Sequence, residues 1–138
     1  MPGLRADLHA GLWSTYVTHT AGTPLLWWHQ FIDADNLYWN FKALAAFHKG
    51  EDRRGKGLVP GEVSFASSHH DLSAMCLQNQ QMGYVWVFSR SAMESMPAKG
   101  QEPVFDGIVL QLKGYAGGKY RVEIWDTYQG ACIATQEV

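Results

Sequence analysis

At 138 residues, with 46% hydrophobic and 17% charged side chains, the chain is long enough for one domain with a core, too short for two full ones, and too apolar to be disordered. A formal net charge of −2, with no clustered basic face, excludes non-specific binding to nucleic acid or to an anionic membrane. Aromatic residues make up 13% of the chain and include six Trp; such rings build β cores and also form flat platforms for sugars.

The opening residues Met1-Pro2-Gly3-Leu4-Arg5 carry no apolar run of the signal-peptide kind. No apolar stretch approaches the ~18 residues needed to span a bilayer. Localisation is left open by these features. The first predicted element is a helix capped by Asp7, with Leu8, Leu12 and Tyr16 on its inward face and Trp13 beside them.

Gly22-Thr23-Pro24 breaks this helix and begins a predicted strand, Leu25–His29. The strand is apolar without alternation, as expected where both faces are covered. It ends in Trp27 and Trp28, then releases His29 and Gln30 toward a loop. Neighbouring strand residues face opposite sides, so Trp27 is expected in the core and Trp28 over a ligand. Asp33 or Asp35 caps a second helix with Leu37, Phe41, Leu44 and His48 on one face. Helix, strand and helix together make the unit from which parallel sheets and (β/α) barrels are built.

Residues 51–61 read as a linker, rich in glycine and basic side chains interrupted by acids. From residue 62 the pattern turns to β. Strands are predicted at Asp71–Gln78, Gly83–Ser89, Gly107–Leu112, Lys119–Asp126 and Ala131–Glu137, with a short one around Val63–Ala66. In Lys119–Asp126 the residues Tyr120, Val122 and Ile124 alternate with Arg121, Glu123 and Trp125, the mark of a half-buried strand. Asp126-Thr127-Tyr128-Gln129-Gly130 is the turn that leads into the last strand. The predicted fold class is therefore α+β: a helix–strand–helix segment over residues 1–50, a partial (β/α) barrel unit, followed by a small antiparallel β-sandwich or half-barrel over 62–138.

The polar residues released after the first strand are the strongest candidates for chemistry, since ligands gather at the carboxyl ends of strands in α/β sheets. Asp33 and Asp35 are the candidate acid–base pair, because glycoside cleavage needs two carboxyls roughly 5–10 Å apart. Glu51 and Asp52 are further candidates if the linker folds back, and Glu62 comes after them. For Asp33 and Asp35 the alternative is that one caps the helix and the other faces water. Trp28, with His29, Gln30 and Trp27, is the candidate substrate surface. His69-His70-Asp71 has no third ligand at a metal-type spacing, and His9 and His19 have no helical histidine partner, so no metal is expected. No cofactor is expected: P-loop and dinucleotide fingerprints are missing, as is the G-x-S-x-G nucleophile motif. Cys76 and Cys132 sit in apolar strand-like runs and are expected as buried free thiols, with a single disulfide as the alternative.

Several motifs together resemble the last barrel segment of TIM-barrel glycoside hydrolases, the cellulase- and β-galactosidase-like retaining clan. They are Leu8-His9-Ala10-Gly11-Leu12-Trp13-Ser14, then Ala21-Gly22-Thr23-Pro24-Leu25-Leu26-Trp27-Trp28, then Ile32-Asp33 and Leu37-Tyr38. The run from Gly118 to Thr127, with Gly130, resembles the hairpin of the β-sandwich that follows such barrels. The resemblance spans roughly residues 8–48 and 71–138. It implies a carbohydrate-active protein directed at β-linked glycosides such as cellulose-type glucans, in a family often secreted, with Trp28 flooring a sugar subsite. A non-catalytic carbohydrate-binding or accessory module is the alternative. The family's catalytic Glu pair follows the fourth and seventh barrel strands, which this chain does not contain. An oligo- or polysaccharide is the expected partner. A homo-oligomer is expected too, formed through the open edges of the N-terminal unit.

Overall fold

The computed structural model describes residues 2–22, 28–66, 70–94 and 103–138. Its elements are α+β, with helices first and antiparallel strands after them. Helix α1 spans Pro2–Tyr16. It begins earlier than the predicted Asp7 cap, because proline at a first helical position forgoes an N–H that would be unpaired anyway. Its buried side chains include Leu8, Leu12, Trp13 and Tyr16, the face predicted from the periodicity.

The predicted strand Leu25–His29 falls largely outside the described residues, Leu25, Leu26 and Trp27 among them. Its last two residues are not strand. Trp28 has φ −108° and ψ 29°, and His29 opens helix α2, His29–Ala34. The Trp28 carbonyl already accepts from the Ile32 amide at 2.9 Å. Asp33 and Asp35 therefore cap no second helix: Asp33 lies within α2 and Asp35 follows it. Helix α3, Tyr38–His48, starts after Leu37 with no side-chain cap. Its buried face also differs from the predicted one. Asn40 and Ala43 are buried along with Leu37, whereas Phe41 is 40% exposed.

Strands β1 (Val59–Pro60), β3 (Leu72–Gln78) and β4 (Gly83–Ser89) form one sheet in the order β1-β3-β4. Strand β2 (Val63–Phe65) pairs with β5 (Leu110–Leu112), and β6 (Arg121–Asp126) with β7 (Ala131–Glu137). All these pairings are antiparallel, and no closed barrel is formed by the described residues. A short helix α4, Arg90–Glu94, follows β4 directly. Asp71 accepts hydrogen bonds from the Ser89 hydroxyl and from the amide and hydroxyl of Ser91 at that junction, which hold its carboxyl below the usual range.

The main core joins both halves of the sequence. Trp13, Tyr16 and Val17 from the α1 region meet Ala43 of α3, Leu58, Leu77 of β3, and Tyr84 and Trp86 of β4. A second cluster holds Leu8, Leu12, Ile32 and Leu37. The segment read as a linker is packed onto this core. Leu58 is buried, and Pro60 occupies an edge strand, where its missing N–H costs no ladder bond. The Arg53 guanidinium lies 4.0 Å from the centre of the Tyr16 ring, and the Tyr84 hydroxyl donates to Glu51 at 2.8 Å.

The alternation predicted for β6 holds only in part. Between Ile124 and Trp125 the register to β7 shifts, Ile124 pairing Ala134 and Trp125 pairing Cys132. Such a bulge twists and re-aims a strand. Ile124 is left 42% exposed, while Trp125 packs edge-on to Phe47 of α3 at 5.4 Å. Cys76 is buried and Cys132 is exposed, both as free thiols; the burial predicted for Cys132 is corrected by the solvent-facing position of β7.

Candidate functional site

Trp28 sits at the start of α2 and is half-buried, while His29 and Gln30 in the first helical turn are exposed. A half-buried tryptophan beside two exposed polar side chains supplies the residue types of an apolar platform with hydrogen-bonding groups at its rim. Trp27 lies outside the described residues.

The candidate carboxylates are each held by a different partner. Asp33 accepts from the Tyr38 hydroxyl at 3.1 Å, a bond that raises the Tyr38 pKa. Asp35 accepts from the Arg5 guanidinium at 3.0 and 2.8 Å. Glu51 takes the Tyr84 hydroxyl, Asp52 pairs with Arg54 at 2.9 Å, and Glu62 pairs with Lys113 at 3.1 Å. Among the described residues no group of three or more His, Cys, Asp or Glu is arranged to hold a metal ion. His70 is exposed, Asp71 is half-buried, and His69 lies outside the described residues.

A second polar centre went unpredicted. His9, on the buried face of α1, is 4% exposed, and Asn40 of α3 is fully buried. The Asn40 Nδ2 donates to the Leu37 carbonyl at 3.1 Å, which turns Oδ1 toward His9 Nδ1, 3.0 Å away. This network puts the imidazole proton on Nδ1 and leaves Nε2 to accept from the Thr127 hydroxyl at 3.1 Å. Burial lowers the His9 pKa to about 4, against the opposing effects of the Asn40 hydrogen bond and the Asp126 charge. The ring is neutral at pH 7.

The turn that brings Thr127 to His9 is closed by Asp126, whose Oδ1 accepts from the amides of Tyr128 and Gln129. No local pattern announces this centre. His9 and Asn40 are 31 positions apart, and His9 and Thr127 are 118 apart. The one clue in the sequence is a polar residue, His9, beside Leu8 on an otherwise apolar helix face.

Comparison with protein-family models, with curated proteins and with solved structures finds no match for the chain.

Proposed function

We propose that the chain is a carbohydrate-active protein that binds β-linked glycans of the cellulose type, with Trp28 as the sugar platform and His29 and Gln30 hydrogen-bonding the hydroxyls. The observation that carries this reading is the exposure at one point: a half-buried tryptophan followed directly by two exposed polar side chains. The motif resemblance to the C-terminal end of TIM-barrel glycoside hydrolases supports the same reading. In it, α1 to α3 correspond to the last barrel unit, and the strands to the small antiparallel sandwich or half-barrel that follows. Asp33 and Asp35 are the proposed carboxylates if the chain cleaves glycosides by itself. Their separate engagement with Tyr38 and Arg5 favours binding over catalysis. Self-association through the N-terminal unit belongs to this reading.

The test is calorimetric titration with cellohexaose. Trp28→Ala should weaken binding by roughly 1–3 kcal/mol, the scale of one ring-stacking contact. A wild-type protein with no affinity for any β-glucan would sink the proposal. Release of reducing sugar that disappears in Asp33→Asn and Asp35→Asn would make it catalytic. Activity unchanged in both would remove these residues from the mechanism.

A further inference from the structure

A cavity of about 270 Å³ opens between α1, β4, α4 and the turn after β6. Its walls include Trp86, Phe88, Phe105, Met93 and Ile108, and its polar lining includes His9, Ser89 and Thr127. Trp86 and Phe88 stack on each other with ring centres 4.4 Å apart and planes tilted by 29°, and both contribute to the aromatic lining. Among the described residues lining the cavity none is charged, so an ionic guest would be desolvated without a partner. An apolar cavity of roughly 150 Å³ holds one benzene. The space here suits a guest of about two fused rings.

Ser89, Thr127 and Tyr128 carry the hydroxyls of the lining, and the hydrogen-bond network sets what Ser89 and Thr127 can offer a guest. Ser89 is committed: its hydroxyl donates to Asp71 and accepts from the Ala92 amide at 3.1 Å. Thr127 gives its only proton to His9 Nε2, because Asn40 fixes the imidazole proton on Nδ1. The Thr127 oxygen is left with lone pairs alone, so it can accept and cannot donate. We propose that this cavity is a binding site for a neutral, planar aromatic molecule bearing one N–H or O–H donor, which the Thr127 hydroxyl oxygen accepts. The site is separate from the Trp28 surface and does not depend on the glycan reading.

Indole and benzofuran are the probes: they match in size and shape, and only indole has the donor. In calorimetric or ligand-observed NMR titrations at pH 7, indole should bind saturably and about three- to tenfold more tightly than benzofuran, the range of one net hydrogen bond. Thr127→Val should erase this preference and Thr127→Ser should keep it. Ile108→Trp, which fills the cavity, should abolish binding of both probes while the circular dichroism spectrum stays unchanged. Cellohexaose should not displace indole. Equal affinity of the wild-type protein for the two probes, no binding of either, or binding that survives Ile108→Trp would each overturn the proposal. If Thr127→Val fails to fold, Thr127→Ser and Ile108→Trp still decide it.

Discussion

The imidazole of His9 lies flat on the ring of Tyr128, with ring centres 4.3 Å apart and planes tilted by only 8°. This contact fastens the turn after β6 to the first helix. Trp39 closes a cluster of three rings, 6.0 Å from Tyr128 and 6.1 Å from His9. A hairpin of two strands is marginal alone, so the β6–β7 unit depends on such contacts for its position.

Tyr128→Ala should therefore destabilise the whole chain and not merely loosen one turn. Losing an aromatic stack and a half-buried ring costs about 1–3 kcal/mol. Urea unfolding measures this, and amide exchange should quicken along β6 and β7 in the same variant. A midpoint equal to that of the wild type would show that the stack carries no stability.

Stability should fall below neutral pH because of His9. Its pKa is lowered by burial to about 4 in the folded chain, against an ordinary value of 6.5. The unfolded chain then binds more protons between these values, so acid favours unfolding. The contribution is complete above about pH 6.5 and is lost as the pH falls toward 4, with roughly 2 kcal/mol lost between pH 7 and pH 5. Comparing urea unfolding at these two pH values for the wild type and His9→Gln checks it. The variant should show the smaller drop.

Gly130 should tolerate no side chain. Its φ is +64°, and a Cβ built there would stand 2.5 Å from the Ala43 Cα and 3.0 Å from the Ala43 carbonyl oxygen. The obstacle is the backbone of α3, which cannot turn aside as a flexible side chain would. Gly130→Ala should cost at least about 2 kcal/mol, combining left-handed strain with displacement of the helix. Gly118→Ala meets nothing within 4 Å and should stay within about 0.5 kcal/mol of wild type. Equal melting temperatures for the two variants would contradict the packing of the hairpin on α3.

Leu58→Ala tests whether residues 51–61 belong to the core. Leu58 is 7% exposed and packs in one cluster with Trp13, Tyr84 and Trp86. Truncation of a buried leucine costs about 2–5 kcal/mol. A change below about 0.5 kcal/mol would mean that the segment behaves in solution as the open linker its composition suggests.

The β strands were the most legible part of the chain. Gly83–Ser89 and Ala131–Glu137 match β4 and β7 residue for residue, because apolar runs between Gly-rich turns leave little freedom in their ends. The predicted strand Leu25–His29 was less secure for a physical reason: a short apolar run without alternation suits a buried strand and a helical segment equally. Trp28 and His29 turned into α2. Of the candidate site residues, Trp28, His29 and Gln30 do share the start of one helix, since they are neighbours in sequence. Asp33 and Asp35, also close in sequence, were drawn to Tyr38 and Arg5 instead. What a carboxylate pairs with depends on which helix packs beside it.

By itself, the sequence determined the α+β class, the buried stripe of α1 and the strand order along the chain. These follow from local periodicity, turn residues and hydrophobicity, which act over a few positions. The tertiary structure alone decided that His9, Asn40 and Thr127 form one network, that Asn40 is buried while Phe41 is exposed, and that Leu58 belongs to the core. A buried polar group is tolerated only where a partner satisfies it. Here the partners come from distant segments, so no window along the chain contains the reason for the burial.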